Sequence, residues 1–234
     1  MPKDNLPAKP SSAHDIDAFL NKAAKVPTLA QAKGRLIFAI DATMSRQPTW
    51  NRATEIQTHM FAVAQSIGGL AVQLVFFRGA GEFHASDWTA SASVLGRRMR
   101  DVTCRAGFTQ LNRVLAHAAQ EASHTKVGAL VYVGDAFEES ADQATGEAGR
   151  LALLGVPAFM FHEGEDPNAA AVFQEIARLT KGVYARFDSG AAKQLRDLLT
   201  AAAIYATGGA VALREHAQKK GGDVLRLANR MSGK

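Results

Sequence analysis

Leu36-Ile37-Phe38-Ala39-Ile40-Asp41-Ala42-Thr43-Met44-Ser45 decides the fold: an apolar run leads straight into three oxygen-bearing side chains at alternate positions. An apolar run this short, without polar alternation, suits a strand covered on both faces, as in a parallel sheet packed between helices. Asp41, Thr43 and Ser45 then fall in the loop at the strand's carboxyl end.

Two distant segments repeat the arrangement. Gly107-Phe108-Thr109 precedes a helical pattern, and Gly134-Asp135 closes another apolar run. Carboxylates and hydroxyls from three loops suit one hard divalent cation, Mg²⁺ or Mn²⁺, and no Cys/His cluster with zinc or iron spacing occurs in the chain. Taken singly, each residue has an ordinary explanation: Asp41 as a strand-end acceptor, Ser45 as a turn residue, Thr109 as a helix cap. Their joint placement points to a site.

Outward from these loops, Leu36 to Ile40, Ala71 to Phe77, Ala129 to Val133, Ala158 to Phe161 and Val183 to Phe187 read as strands. Helical patterns separate them. Ile56, Met60, Val63, Ala64 and Ile67 form one stripe within Thr49 to Ile67, and Leu111, Val114, Leu115 and Ala118 form another. Val172, Ile176 and Leu179 continue the period in a helix closed by Gly182. Arg78-Gly79-Ala80-Gly81 is a turn signal, after which Glu82 to Trp88 returns as a polar, antiparallel edge strand. The expected fold is a doubly wound α/β domain. It has a mostly parallel six-stranded sheet, one antiparallel edge strand and helices on both faces.

The expected organisation is a disordered segment over residues 1–12, a helix and linker over 13–33, the α/β domain over 34–204 and a basic helical tail over 205–234. Ser12 caps the N-terminal helix, whose stripe is Ile16, Phe19, Leu20 and Ala23; Gly208-Gly209 and Gly221-Gly222 divide the tail. With 47% hydrophobic residues the 234-residue chain can bury a large core. No apolar run near the N-terminus resembles a signal peptide or membrane span, and the single Cys104 precludes an internal disulfide; cytoplasmic residence is the expectation. Of the formal charge of +5, four charges belong to residues 211–234, with six Lys/Arg against Glu215 and Asp223. That tail carries no aromatic residue for base stacking, so a solvated basic helix is the simpler reading and nucleic-acid binding the alternative.

The motif Asp-x-Thr-x-Ser after the first strand, a Thr before a later helix and an Asp after the next strand resemble a von Willebrand factor type A (VWA) domain with its metal-ion-dependent adhesion site. The resemblance covers about residues 34 to 204. It implies Asp41, Thr43 and Ser45 as the first loop's cation ligands, Thr109 as the second's and Asp135 as the third's, some of them through water. It also implies a binding or assembly module in which a protein partner's Asp or Glu completes the Mg²⁺ or Mn²⁺ shell. For bacterial members of the family, a chaperone-like ATPase is the partner the resemblance brings forward. The chain departs from the pattern in two places: Thr43 replaces a serine, and Gly134-Asp135-Ala136 lacks the usual Ser/Thr before and Gly after the aspartate. Glu138 and Glu139 read as the acidic first turn of the next helix, with an internal-ligand role as the alternative.

The competing class is a metal-dependent hydrolase or phosphotransferase. The second aspartate of the haloacid dehalogenase pattern is replaced by Thr43, and no phosphate loop, Gly-x-Ser-x-Gly elbow or dinucleotide fingerprint is present. His59, His117, His124 and His162 are scattered. Trp50, Trp88 and Phe108, close to the loops, read as packing or anchoring residues, with a partner-facing role as the alternative.

Overall fold

The computed structural model describes residues 29–188 and 192–231, so the N-terminal helix expected near Ser12 lies outside the described residues. Six strands form the sheet: β1 (Gly34–Asp41), β2 (Leu70–Arg78), β3 (Glu82–Ala85), β4 (Ala129–Gly134), β5 (Ala158–Glu163) and β6 (Val183–Phe187). Their spatial order is β3-β2-β1-β4-β5-β6. All neighbours are parallel except β2 and β3, whose pairing of Phe77 with Phe83 and Arg78 with Glu82 makes the antiparallel edge. This edge strand is shorter than Glu82 to Trp88: after Ala85 the chain keeps a bond from Ser86 N–H to the Leu74 carbonyl at 2.8 Å and then a bridge between Thr89 and Val72.

The α-helices among the described residues are α1 (Gln47–Gln65), α2 (Ala92–Arg100), α3 (Leu111–His124), α4 (Ala141–Leu153) and α5 (Pro167–Leu179), which lie between strands, and α6 (Ala192–Lys220) and α7 (Gly222–Met231), which follow β6. Pro48 in the first turn of α1, where a missing N–H costs nothing, starts that helix two residues before the expected Thr49. Alternate residues of β1 sort the two faces. Leu36, Phe38 and Ile40 face a core built with α1, α2, α6 and α7, through residues such as Trp50, Leu95, Leu198 and Val224. Ile37 and Ala39 face the other core, with α3, α4 and α5 contributing Leu115, Leu151 and Phe173. Covering by helices on both sides is why the central strands carry apolar residues at successive positions.

Gly209 sits at φ 67°, ψ −163°, a conformation open to glycine and costly for other residues, and it kinks α6. Beyond the kink Leu213 and Ala217, then Val224 and Ala228 of α7, join the first core. Lys220 reaches back to the buried Asp197 at 3.6 Å, and Lys193 pairs with the same carboxylate at 3.2 Å. No helix among the described residues is long and apolar enough to cross a membrane.

Candidate metal centre

The order of strands places the switch point between β1 and β4. Ile40 is in register with Val133, so Asp41 and the Gly134-Asp135 pair emerge side by side, on neighbouring parallel strands whose connections diverge to opposite faces. The loop before α3 joins them: Arg105 N–H donates to the carbonyl of Ala42 at 3.0 Å, and Cys104 N–H to Gln47 Oε1 at 3.0 Å. As a result Asp41, Thr43, Ser45, Thr109 and Asp135 all line one cavity of about 270 Å³, together with Met44, Gly107 and Glu138.

Within the cavity the donors are already organised. Thr43 N–H donates to Asp41 Oδ1 at 2.7 Å, fixing the carboxylate against its own loop. Ser45 Oγ lies 3.5 Å from Thr43 Oγ1 and donates to Asp135 Oδ2 at 3.1 Å, which links the first and third loops. Thr109 Oγ1 accepts from Glu138 N–H at 3.0 Å, linking the second and third. Asp41 is 1% exposed. Burial pushes its carboxyl up to about 6, against the lowering effect of its hydrogen bonds to Thr43.

The donor set is hard oxygen throughout: two carboxylates and three hydroxyls. No group of three or more His, Cys, Asp and Glu among the described residues is arranged to hold a metal. Two carboxylates beside three neutral hydroxyls suit a small divalent cation that also takes water.

Several residues around the cavity carry no signal in the sequence motif. Arg46, 3% exposed, places Nη1 3.2 Å from Asp135 Oδ2. Its Nη2 bonds Glu163 and lies 3.0 Å from Thr49 Oγ1. His162 approaches the Asp135 carbonyl through Nε2 at 3.3 Å and Tyr184 Oη through Nδ1 at 2.9 Å. A carbonyl only accepts, so Nε2 carries the proton; burial lowers the ring's basicity, in keeping with a neutral imidazole that steadies the loop. The glutamates after Asp135 correct an expectation: α4 begins only at Ala141, capped by Ser140, so neither lies in its first turn. Glu139 instead accepts from the backbone of Leu111 and Asn112, and Glu138 from that of Thr109 at 3.3 Å, so both serve the start of α3.

The departure at Gly134 has a steric cause. A Cβ there would lie 2.7 Å from both Oη and Cε1 of Tyr132. The Tyr132 ring occupies the room a Ser or Thr would need, and its buried hydroxyl has no hydrogen-bond partner among the described residues. Of the aromatics, Trp50 is core, with Nε1 donating to the Met99 carbonyl at 2.8 Å, and Trp88 bonds Glu121 at 2.8 Å. Phe108 corrects the packing expectation: it is 73% exposed, and Met44, which lines the cavity, is 65% exposed.

No protein-family model matches the sequence, and no curated protein does. Solved structures do match. The VWA domain of SpRpn10 superposes with a TM-score of 0.55 at 12% identity, over 72% of this chain and 93% of that one. Proximal thread matrix protein 1 from the mussel byssus, with a zinc-occupied metal-ion-dependent adhesion motif, gives 0.57 at 15% identity over 74% of this chain; the match spans 46% of that protein. An aerotolerance-related membrane protein of Bacteroides fragilis gives 0.50 at 16% identity, over 71% and 98% of the two chains. The class defined by sheet order and switch-point cavity is a doubly wound α/β domain. Its particular fold is that of a von Willebrand factor type A domain.

Proposed function

We propose that the cavity binds one divalent cation, Mg²⁺ or Mn²⁺, through Asp41, Thr43, Ser45, Thr109 and Asp135, and that the bound ion captures an Asp or Glu side chain of a protein partner. The observation that carries this reading is the convergence of five oxygen-bearing side chains from three loops on one cavity. Two carboxylates balance the ion, and the hydroxyls leave it electrophilic enough to accept a further oxygen. Exposed Met44 lines the cavity and exposed Phe108 lies between its lining residues Gly107 and Thr109, so both offer apolar area of the kind enriched at interfaces.

On this reading the chain is a binding or assembly module rather than an enzyme, and a chaperone-like ATPase is the partner class that the VWA resemblance favours. The lone, buried Cys104 agrees with a reducing, cytoplasmic setting. Phosphotransfer by a strand-end aspartate is less well supported, because Asp41 is 1% exposed and held by Thr43. The basic tail is a weaker candidate for nucleic acid, since Lys220 is engaged with Asp197.

The test is recovery of partners from a lysate on immobilised protein, with and without chelator, compared with folded Asp41→Ala and Asp135→Ala variants. Capture lost in chelator and in both variants supports the reading. Capture that survives chelator but fades with salt and with Lys219/Lys220→Glu would replace it with the tail.

A further inference from the structure

We propose that Arg46 is an internal counter-cation of the metal centre: its guanidinium holds Asp135 Oδ2, and a divalent ion must compete with it for that oxygen. The inference rests on the cation-binding reading above. Asp135 Oδ2 already forms an ion pair with Arg46 Nη1 at 3.2 Å and accepts a hydrogen bond from Ser45 Oγ at 3.1 Å, so the oxygen facing the first loop is engaged before any metal arrives. Arg46 is 3% exposed, beyond a partner's reach, and its charge acts inside the protein where water screens it poorly.

A second anchor keeps the guanidinium from leaving. Glu163 is 4% exposed and bonds both Arg46 and Thr49. It ends β5, whose His162 is in register with Gly134, so the two carboxylates leave adjacent strand ends with the guanidinium between them. Arg46 Nε has no hydrogen-bond partner among the described residues, so the fork is held by its two terminal nitrogens. Arg46 therefore divides its charge between Asp135 and Glu163. A metal on Asp135 pushes that division toward Glu163, and weakening Glu163 pushes it back toward Asp135.

This predicts effects of opposite sign. Mn²⁺ titration of chelator-treated protein, by calorimetry and by electron paramagnetic resonance of the free hexaaqua ion, should show Glu163→Gln binding more weakly than the unmodified protein. Arg46→Gln combined with Glu163→Gln removes one charge of each sign, frees Asp135 from its internal competitor and should bind tighter by about tenfold or more. Tighter binding in the double variant supports the inference even if the unmodified chain binds too weakly to measure. If the double variant does not fold, Glu163→Gln decides alone: weaker binding supports, unchanged or tighter binding overturns. Equal affinities in all three proteins, each abolished by Asp41→Ala, would make Arg46 a structural ion pair only and leave the cation site standing. No Mn²⁺ binding in any of them would overturn both.

Discussion

Glu139 Oε2 accepts the backbone N–H of Asn112 at 3.0 Å, so a carboxylate from the loop after β4 caps the first turn of α3. Its other oxygen takes the N–H of Leu111, and Gln110, the residue at the cap position, makes no side-chain cap of its own. Two of the three loops are thus tied together by a cap supplied through space rather than along the chain. Replacing Glu139 with alanine should lower stability by about 1 kcal/mol, the usual value of a helix cap. A urea denaturation midpoint unchanged by Glu139→Ala would contradict it.

Gly134 is required by Tyr132. Gly134→Ser places a Cβ against the Tyr132 ring and should cost about 1–3 kcal/mol, as overpacking does. Combining it with Tyr132→Val, which vacates the space, should recover part of that loss. A Gly134→Ser protein melting with the unmodified chain would show that the ring moves aside freely.

The parts of the fold that repeat a period were legible in the sequence. Apolar runs marked β1, β4 and β5, and the stripes of α1, α3 and α5 matched helices observed at those positions. α4 had no such stripe to read, because its interior carries Gly146 and Gly149 and its buried face is mostly alanine. Asp41, Thr43, Ser45, Thr109 and Asp135, which line one cavity, lie next to strand ends and helix starts, where a sequence motif points to them as candidate ligands. Arg46, Glu163, His162 and Glu139 act across loops, and only the sheet order brings them to the cavity. Phe108 was misread because an aromatic beside a loop usually packs, whereas here its neighbours Gly107 and Thr109 line the cavity and the ring points outward.

That exposure leads to a separate prediction. Phe108→Ala should leave thermal stability within about 0.5 kcal/mol of the unmodified chain, as expected for a surface change, while reducing chelator-sensitive capture of a partner. A marked loss of stability would return Phe108 to a packing role.

Asp41 sets a pH dependence in metal-free protein. Burial raises its carboxyl from the ordinary 3.8 to about 6, so between those values the folded chain holds a proton that the unfolded chain has released. Stability from this group is therefore fully present below pH 4 and lost as pH rises through 6, by about 3 kcal/mol in all. Other carboxylates add their own slopes, so the readout is the difference between unmodified protein and Asp41→Asn. The variant should gain on the parent as pH rises from 4 to 6, and a constant difference across that window would contradict the shift.

The most direct test of the central claim is calorimetric titration of chelator-treated protein with Mg²⁺ and Mn²⁺, beside folded Asp41→Ala and Asp135→Ala variants. The account predicts saturable binding of one ion per chain, lost in both variants. Binding that persists in both would place the cation elsewhere and contradict the three-loop site.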